Sequence, residues 1–221
     1  VFSSIYRKAE VDIRYMGENE LLRAMLNDSV RCAVTSAAPG GEQQAYFNTR
    51  QLNPPIVPIY IDAIAVIMNK QSPLERLSLD DIRSVLANDT TAVRVTTDIV
   101  NTGAIDSLRA LFAGSGSGTA RTLIDSLHIR GIHASALPDV SSVIAQVARD
   151  PRAIGFIPFA AISDLDNPAM RALRDQVKLL PIARAADTKA VRPSQGIIAE
   201  CRYPLRRTVT MILIEGKSGL G

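Results

Sequence analysis

Tryptophan is absent from the chain, and 221 residues hold only five phenylalanines and five tyrosines. So sparse an aromatic complement argues against sites that stack sugars or nucleobases. Two histidines supply little general-base capacity, and no Ser/His/Asp or Cys/His set is suggested, so an enzyme is not expected. His128 and His133 lie in an irregular connection and read as surface groups. The two cysteines, Cys32 and Cys201, have no CxxC partner, which argues against zinc. Each sits in an apolar, strand-like run and reads as a buried free thiol; a disulfide between them is the alternative in an oxidising compartment. No stretch reaches the roughly 18 consecutive apolar residues of a membrane helix, and no signal peptide is recognisable. The net charge of +3 is not gathered into any Lys/Arg cluster, which excludes nucleic acid as an expected partner but suits a small anion. No cofactor and no metal site are expected.

What remains is a globular composition, 47% hydrophobic and 21% charged, in which strand-like and helix-like runs alternate. The spacing predicts a helix end over 1–8 and a strand over 10–15. A helix carries Leu21, Leu22, Met25 and Leu26 on one face, and a strand follows over 30–34. A helix over 42–51 carries Tyr46 and Phe47 on its buried side. Residues 57–68 are the longest apolar run, β-branched, and read as a long buried strand. Ser78 caps a helix with Asp80 and Asp81 in its first turn. A strand is expected over 92–97. Residues 128–140 read as irregular, 141–149 as a helix and 153–158 as a strand, with Gly155 where something packs closely. Three further strands are read over 177–182, 196–201 and 208–215. The first residues resemble the middle of an amphipathic helix, so an upstream segment is expected to be missing.

The most distinctive stretch is Gly114-Ser115-Gly116-Ser117-Gly118-Thr119, between a strand (108–112) and a helix (121–127). Its glycines, Gly116 among them, let the backbone approach a ligand closely. A helix start adds free N–H groups and a positive dipole end, the equipment an oxyanion needs. The nucleotide-binding alternatives fit poorly: a P-loop requires a lysine after its last glycine, and the third glycine comes one residue early for a dinucleotide fingerprint. A flexible surface loop is the competing reading.

Several motifs in order resemble the phosphate-binding proteins of ABC transporters, periplasmic-binding-protein-like type II, most closely their Bacteroidetes-type lipoprotein branch. These are Asn27–Ser36, Asp62–Lys70 followed by Leu77–Ile82, Ser117-Gly118-Thr119, Ala153–Phe156 and Tyr203-Pro204-Leu205-Arg206-Arg207. The resemblance runs across nearly the whole chain.

It implies an α/β fold of two lobes, each a mainly parallel sheet flanked by helices, with the ligand cleft between them. Lobe 1 would be discontinuous, 1–68 and 190–221, with its first strand missing upstream, and lobe 2 would span 69–189. The implied function is capture of phosphate or a similar small oxyanion for an ABC transporter permease. The implied setting is the periplasm, as a monomer that meets the membrane only through an upstream lipid anchor. Ser117, Gly118 and Thr119 would contribute from lobe 2, Ser36 and Thr35 from lobe 1, and Gly17 through its backbone N–H. Arg121 would add charge. Ala37 and Ala38 stand where the family commonly carries an arginine or an aspartate. That leaves Glu18 and Asp62 as candidates for the carboxylate acceptor that selects protonated phosphate over sulfate. The competing function is a ligand sensor with the same fold, and a phosphate- or nucleotide-handling enzyme stands third.

Overall fold

A computed structural model describes residues 11–36, 39, 41–49, 53–87, 108–114 and 117–214. The helical end at 1–8, the strand at 92–97, Ala37, Ala38 and Gly116 lie outside the described residues.

The fold is organised by one long strand. β2 (Ile56–Met68) pairs antiparallel with β9 (Arg206–Leu213) through its first half, Ile56 to Ala63. Through its second half, Ile64 to Met68, it pairs antiparallel with β6 (Ala153–Pro158). It therefore crosses from one part of the molecule to the other. A register shift between Pro58 and Tyr60 falls beside a proline that has no N–H for the ladder. The crossing is locked from the side. Tyr203, fully buried, donates its hydroxyl to the Ile64 carbonyl at 3.0 Å, and the Ile64 N–H donates to Leu205 at 2.8 Å. Pro158, the register partner of Ile64, has no N–H to give.

On one side of the crossing, β1 (Cys32–Thr35) lies antiparallel to β9. Helices α1 (Glu18–Leu26) and α2 (Gly41–Thr49) belong to this side, and a small core forms from Met25, Ala33, Phe47, Ile212 and Ile214. On the other side, β4 (Arg109–Ala113) runs parallel to both β6 and β5 (Ala134–Leu137). The sheet order is β1-β9-β2-β6-β4-β5. Short strands β3 (Leu77–Ser78) and β8 (Ile182–Ala183) pair parallel, and β7 (Lys178–Leu179) joins β2. Parallel pairing thus belongs to the second lobe, while the described ladders of the first are antiparallel because β2 and β9 run between lobes in opposite directions. Helices α3 (Leu79–Ala87), α4 (Gly118–Leu127) and α5 (Val140–Arg149) cover this larger sheet. A 3-10 turn (Phe159–Ile162), α6 (Pro168–Arg174) and α7 (Gln195–Ala199) complete the described elements.

Local chemistry sets several boundaries. At α3 the Ser78 hydroxyl accepts from the Asp81 N–H at 3.1 Å, while the Asp81 carboxylate accepts from the Ser78 N–H at 2.7 Å, a reciprocal capping box. Buried Asn69 donates to the Val147 and Ala148 carbonyls at the end of α5, satisfying groups a helix terminus leaves orphaned. Gly155 does pack closely: a Cβ there would lie 2.7 Å from Cγ1 of Ile67.

Five sequence expectations are corrected. Residues 11–17 form no strand and are largely exposed, because no described strand runs beside them to pair their backbone. Only the second half of β2 is buried; Ile56, Val57, Ile59, Tyr60 and Ile61 remain exposed. Residues 134–137 form β5, where parallel pairing with β4 overrides the weak strand propensity of Ala-Ser-Ala. Residues 195–199 are helical rather than extended, started by the Ser194 hydroxyl accepting from the Ile197 N–H. Cys32 and Cys201 are exposed, free thiols. Cys32 faces outward on the alternating β1, and Cys201 turns the chain after α7 with φ +59°.

Candidate functional site: an interlobe cleft

A cleft of about 710 Å³ opens where the two sides of the sheet meet. From the first lobe it is lined by Gly17, Thr35 and Ser36, and from the second by Ser117, Gly118 and Thr119. Tyr15, 95% exposed, and Met16 border it on the first-lobe side. Thr35 and Ser36 come at the end of β1, where the strand stops at the cleft.

Three helix N-termini border this cleft. Gly17 is the N-cap of α1 and supplies no side-chain cap, so the first-turn N–H groups of that helix are left to other acceptors. Ser117 caps α4, its hydroxyl accepting from the Thr119 N–H at 3.2 Å. Gly114 turns the chain out of β4 with φ +75°, a conformation that favours glycine. Asp139 caps α5, its carboxylate accepting from the Ser142 N–H at 2.7 Å. That backbone hydrogen bond, with a second from the Ser142 side chain, holds the Asp139 carboxyl below the usual carboxylate range. The N-termini of α4 and α5 are thus each capped by a side chain, whereas that of α1 is not.

The decisive side chain is Arg207 of β9. It lines the cleft, yet only 7% of its side chain is exposed. Its Nε and Nη2 donate to one carboxylate oxygen of Asp62, at 3.1 and 2.9 Å, and Nη1 donates to the Thr119 hydroxyl at 3.2 Å. The other Asp62 oxygen accepts from the Ala160 N–H at 3.1 Å. Three hydrogen bonds engage three of the five guanidinium N–H donors. Among the described residues, Arg207 is the one basic side chain lining the cleft, and it stands against the N-terminus of α4.

The structure thus brings together Gly17, Thr35, Ser36, Ser117, Gly118 and Thr119 around one space. Asp62 lies behind Arg207, off the cleft surface, and borders a separate cavity of about 400 Å³ with Tyr60 and Phe159. Both of its oxygens accept hydrogen bonds, one from Ala160 and the other from Arg207. Arg121, half-buried, does not line the cleft; its N–H donates to the Ser117 carbonyl within α4. Glu18 opens α1. Sequence reasoning missed Arg207 and Asp139. A readable signal existed for the first: Arg207 falls in the Tyr203–Arg207 motif, and Asp62 starts the Asp62–Lys70 motif. Strand register makes Asp62 and Arg207 cross-strand partners. For Asp139 the signal was an N-cap residue ahead of a periodic helix.

Comparison with known proteins agrees with this architecture. A family model described as PBP superfamily domain matches residues 1–221. The chain belongs to the PBP superfamily. Among solved structures, one from Clostridium perfringens, assigned as a phosphate ABC transporter substrate-binding protein and holding bound phosphate, superposes with a TM-score of 0.72. Identity is 15%, over 97% of this chain and 78% of that one. An ABC-type phosphate transport receptor from Vibrio cholerae gives 0.68 at 14% identity, over 99% and 81%. The regulatory domain of CcmR from Synechocystis PCC6803, in complex with 2-PG, gives 0.58 at 13% identity, over 98% and 79%. No curated protein matches the sequence. The two-lobed α/β fold of the PBP superfamily is therefore established for this chain, and these neighbours are described as phosphate-binding transport proteins and a regulatory domain. Among the described residues no helix is long and apolar enough to cross a membrane, and no group of three metal-ligating side chains occurs.

Proposed function

We propose that this PBP-superfamily chain is an extracytoplasmic solute-binding protein that captures phosphate or a closely related oxyanion for an ABC transporter permease. The observation that carries this reading is the Arg207 guanidinium, 7% exposed, standing at the N-terminus of α4 in a cleft that Thr35 and Ser36 also line. A buried guanidinium with oriented donors, the N-terminus of α1 left without a side-chain cap and hydroxyls from two lobes suit a desolvated anion.

In this reading Ser117, Gly116, Gly118 and Thr119 hold the anion from lobe 2, and Arg207 on the crossing strand β9 supplies oriented N–H donors. Thr35, Ser36 and the N-terminus of α1 at Gly17 and Glu18 close on it from lobe 1. Lobe 1 comprises 1–68 and 190–221, lobe 2 comprises 69–189, and closure is a hinge motion at the paired crossing strands β2 and β9. The protein acts by binding alone, without chemistry. Its setting is the periplasm, with a lipid anchor contributed by sequence upstream.

Isothermal titration of the full chain with inorganic phosphate tests this directly. Phosphate is expected to give binding heat, and Thr119→Val to weaken it by roughly 10-fold or more, the cost of a hydrogen bond to a charged group. No heat from either phosphate or sulfate overturns the reading. The regulatory-domain neighbours favour a second reading, an effector sensor that uses the same cleft. Purification with a permease supports transport, whereas purification with a DNA-binding segment in the same polypeptide supports sensing.

A further inference from the structure

We propose that Asp62 determines which anion charge the cleft accepts, acting through Arg207 as a positioning residue; this rests on the oxyanion reading above. Asp62 and Arg207 face each other in register on the two crossing strands, and both side chains are nearly fully buried, at 4% and 7% exposure. Two N–H donors of Arg207 are fixed on Asp62, and a third is aimed at Thr119 in the first turn of α4. The Ala160 N–H pins the remaining Asp62 oxygen, so the carboxylate cannot swing away to follow the guanidinium. The consequence is a guanidinium held in one orientation with its charge largely cancelled. A bound anion then meets oriented donors rather than a net positive field.

The other charged or titratable groups facing the cleft, among the described residues, are the Asp139 carboxylate from α5 and the Tyr15 hydroxyl from segment 11–17. Tyr60 borders the cavity on the Asp62 side. None of these adds a second cation. The pair therefore tunes the site toward singly charged oxyanions, and freeing Arg207 from Asp62 shifts preference toward doubly charged ones. The shift follows from Coulomb's law: removing one nearby negative charge favours each anion in proportion to its own charge. Buried charges a few ångströms apart are screened little by salt.

The test is isothermal titration of the full chain with sulfate, a dianion throughout, and with inorganic phosphate at about pH 6 and about pH 8, where it passes from mainly monoanion to mainly dianion. Asp62→Asn keeps an oxygen for the Ala160 N–H and removes the charge. It is expected to raise the sulfate-to-phosphate affinity ratio at the lower pH by at least about five-fold over wild type. It also makes phosphate affinity climb more steeply with pH. Arg207→Gln is expected to move the ratio the opposite way, and the neutral pair Asp62→Asn/Arg207→Gln to return it to the wild-type value with weaker binding overall. Should Asp62→Asn not fold, the ratio must still rise from Arg207→Gln to the double variant. A purely structural Asp62 predicts equal losses for both anions at both pH values, and that result overturns the proposal. A wild-type chain that binds neither anion overturns both this inference and the oxyanion reading. Phosphate binding with an unshifted ratio overturns this one alone.

Discussion

Replacing Gly155 by alanine places a methyl group where the sheet and α5 already touch. The new Cβ would stand 2.7 Å from Cγ1 of Ile67, 3.0 Å from its Cδ1 and 3.0 Å from Cγ1 of Val143. Neither neighbour has room to give: both are fully buried, and β-branched side chains have few rotamers to offer. Ile67 and Gly155 are also register partners in the β2–β6 ladder, so moving one strand disturbs the crossing strand itself. Overpacking of this kind costs about 1–3 kcal/mol. In a chain of this size each kcal/mol lowers the melting temperature by about 2–4 °C, so a drop of about 2–12 °C is expected. Urea unfolding followed by circular dichroism should show a lower midpoint at unchanged slope. Adding Ile67→Ala to Gly155→Ala should cost less than the sum of the single losses, because the two residues share the contact. An unchanged or higher midpoint for Gly155→Ala would refute the reasoning. In an unstrained strand, alanine stabilises relative to glycine by about 0.5–1 kcal/mol.

Two further outcomes follow from buried and capping groups. Burial pushes the Tyr203 hydroxyl far above its ordinary pKa, so it stays protonated and donating to Ile64 at all accessible pH. Tyr203→Phe removes that bond and leaves a buried carbonyl facing Pro158, costing about 1–3 kcal/mol in urea unfolding; no loss would mean that Ile64 finds another donor. The Asp139 carboxyl titrates below its ordinary range in the folded chain. Its charge therefore contributes stability above the unfolded carboxylate pKa, and that contribution is lost as pH falls through the depressed folded value. The melting-temperature difference between wild type and Asp139→Asn should be constant near neutral pH and shrink only on strong acidification. A difference that is already gone at about pH 6 would contradict this.

The sequence by itself determined whatever depends on neighbours along the chain. The periodicity of Leu21 to Leu26, the cap at Ser78 with Asp81 in the first turn and the glycine before Ser117 are local, and each was readable in place. So was the order of motifs that resembles a two-lobed binding protein. The tertiary structure decided what depends on partners far apart in sequence. Residues 11–15 alternate as a strand does, but with no strand beside them their backbone has nothing to pair with. Residues 134–137 lack strand propensity, yet β4 supplies the ladder. The first half of β2 is as apolar as the second, but only the second is enclosed, since burial depends on what packs above and below. The site divides the same way. Ser117 to Thr119 declare themselves through glycine spacing and a helix start, properties of contiguous residues. Arg207 lies 88 residues from Thr119 and 145 from Asp62. No pattern along the chain brings a charge that far. Antiparallel register of β2 and β9 does, by placing Asp62 opposite Arg207 and the guanidinium at the mouth of α4.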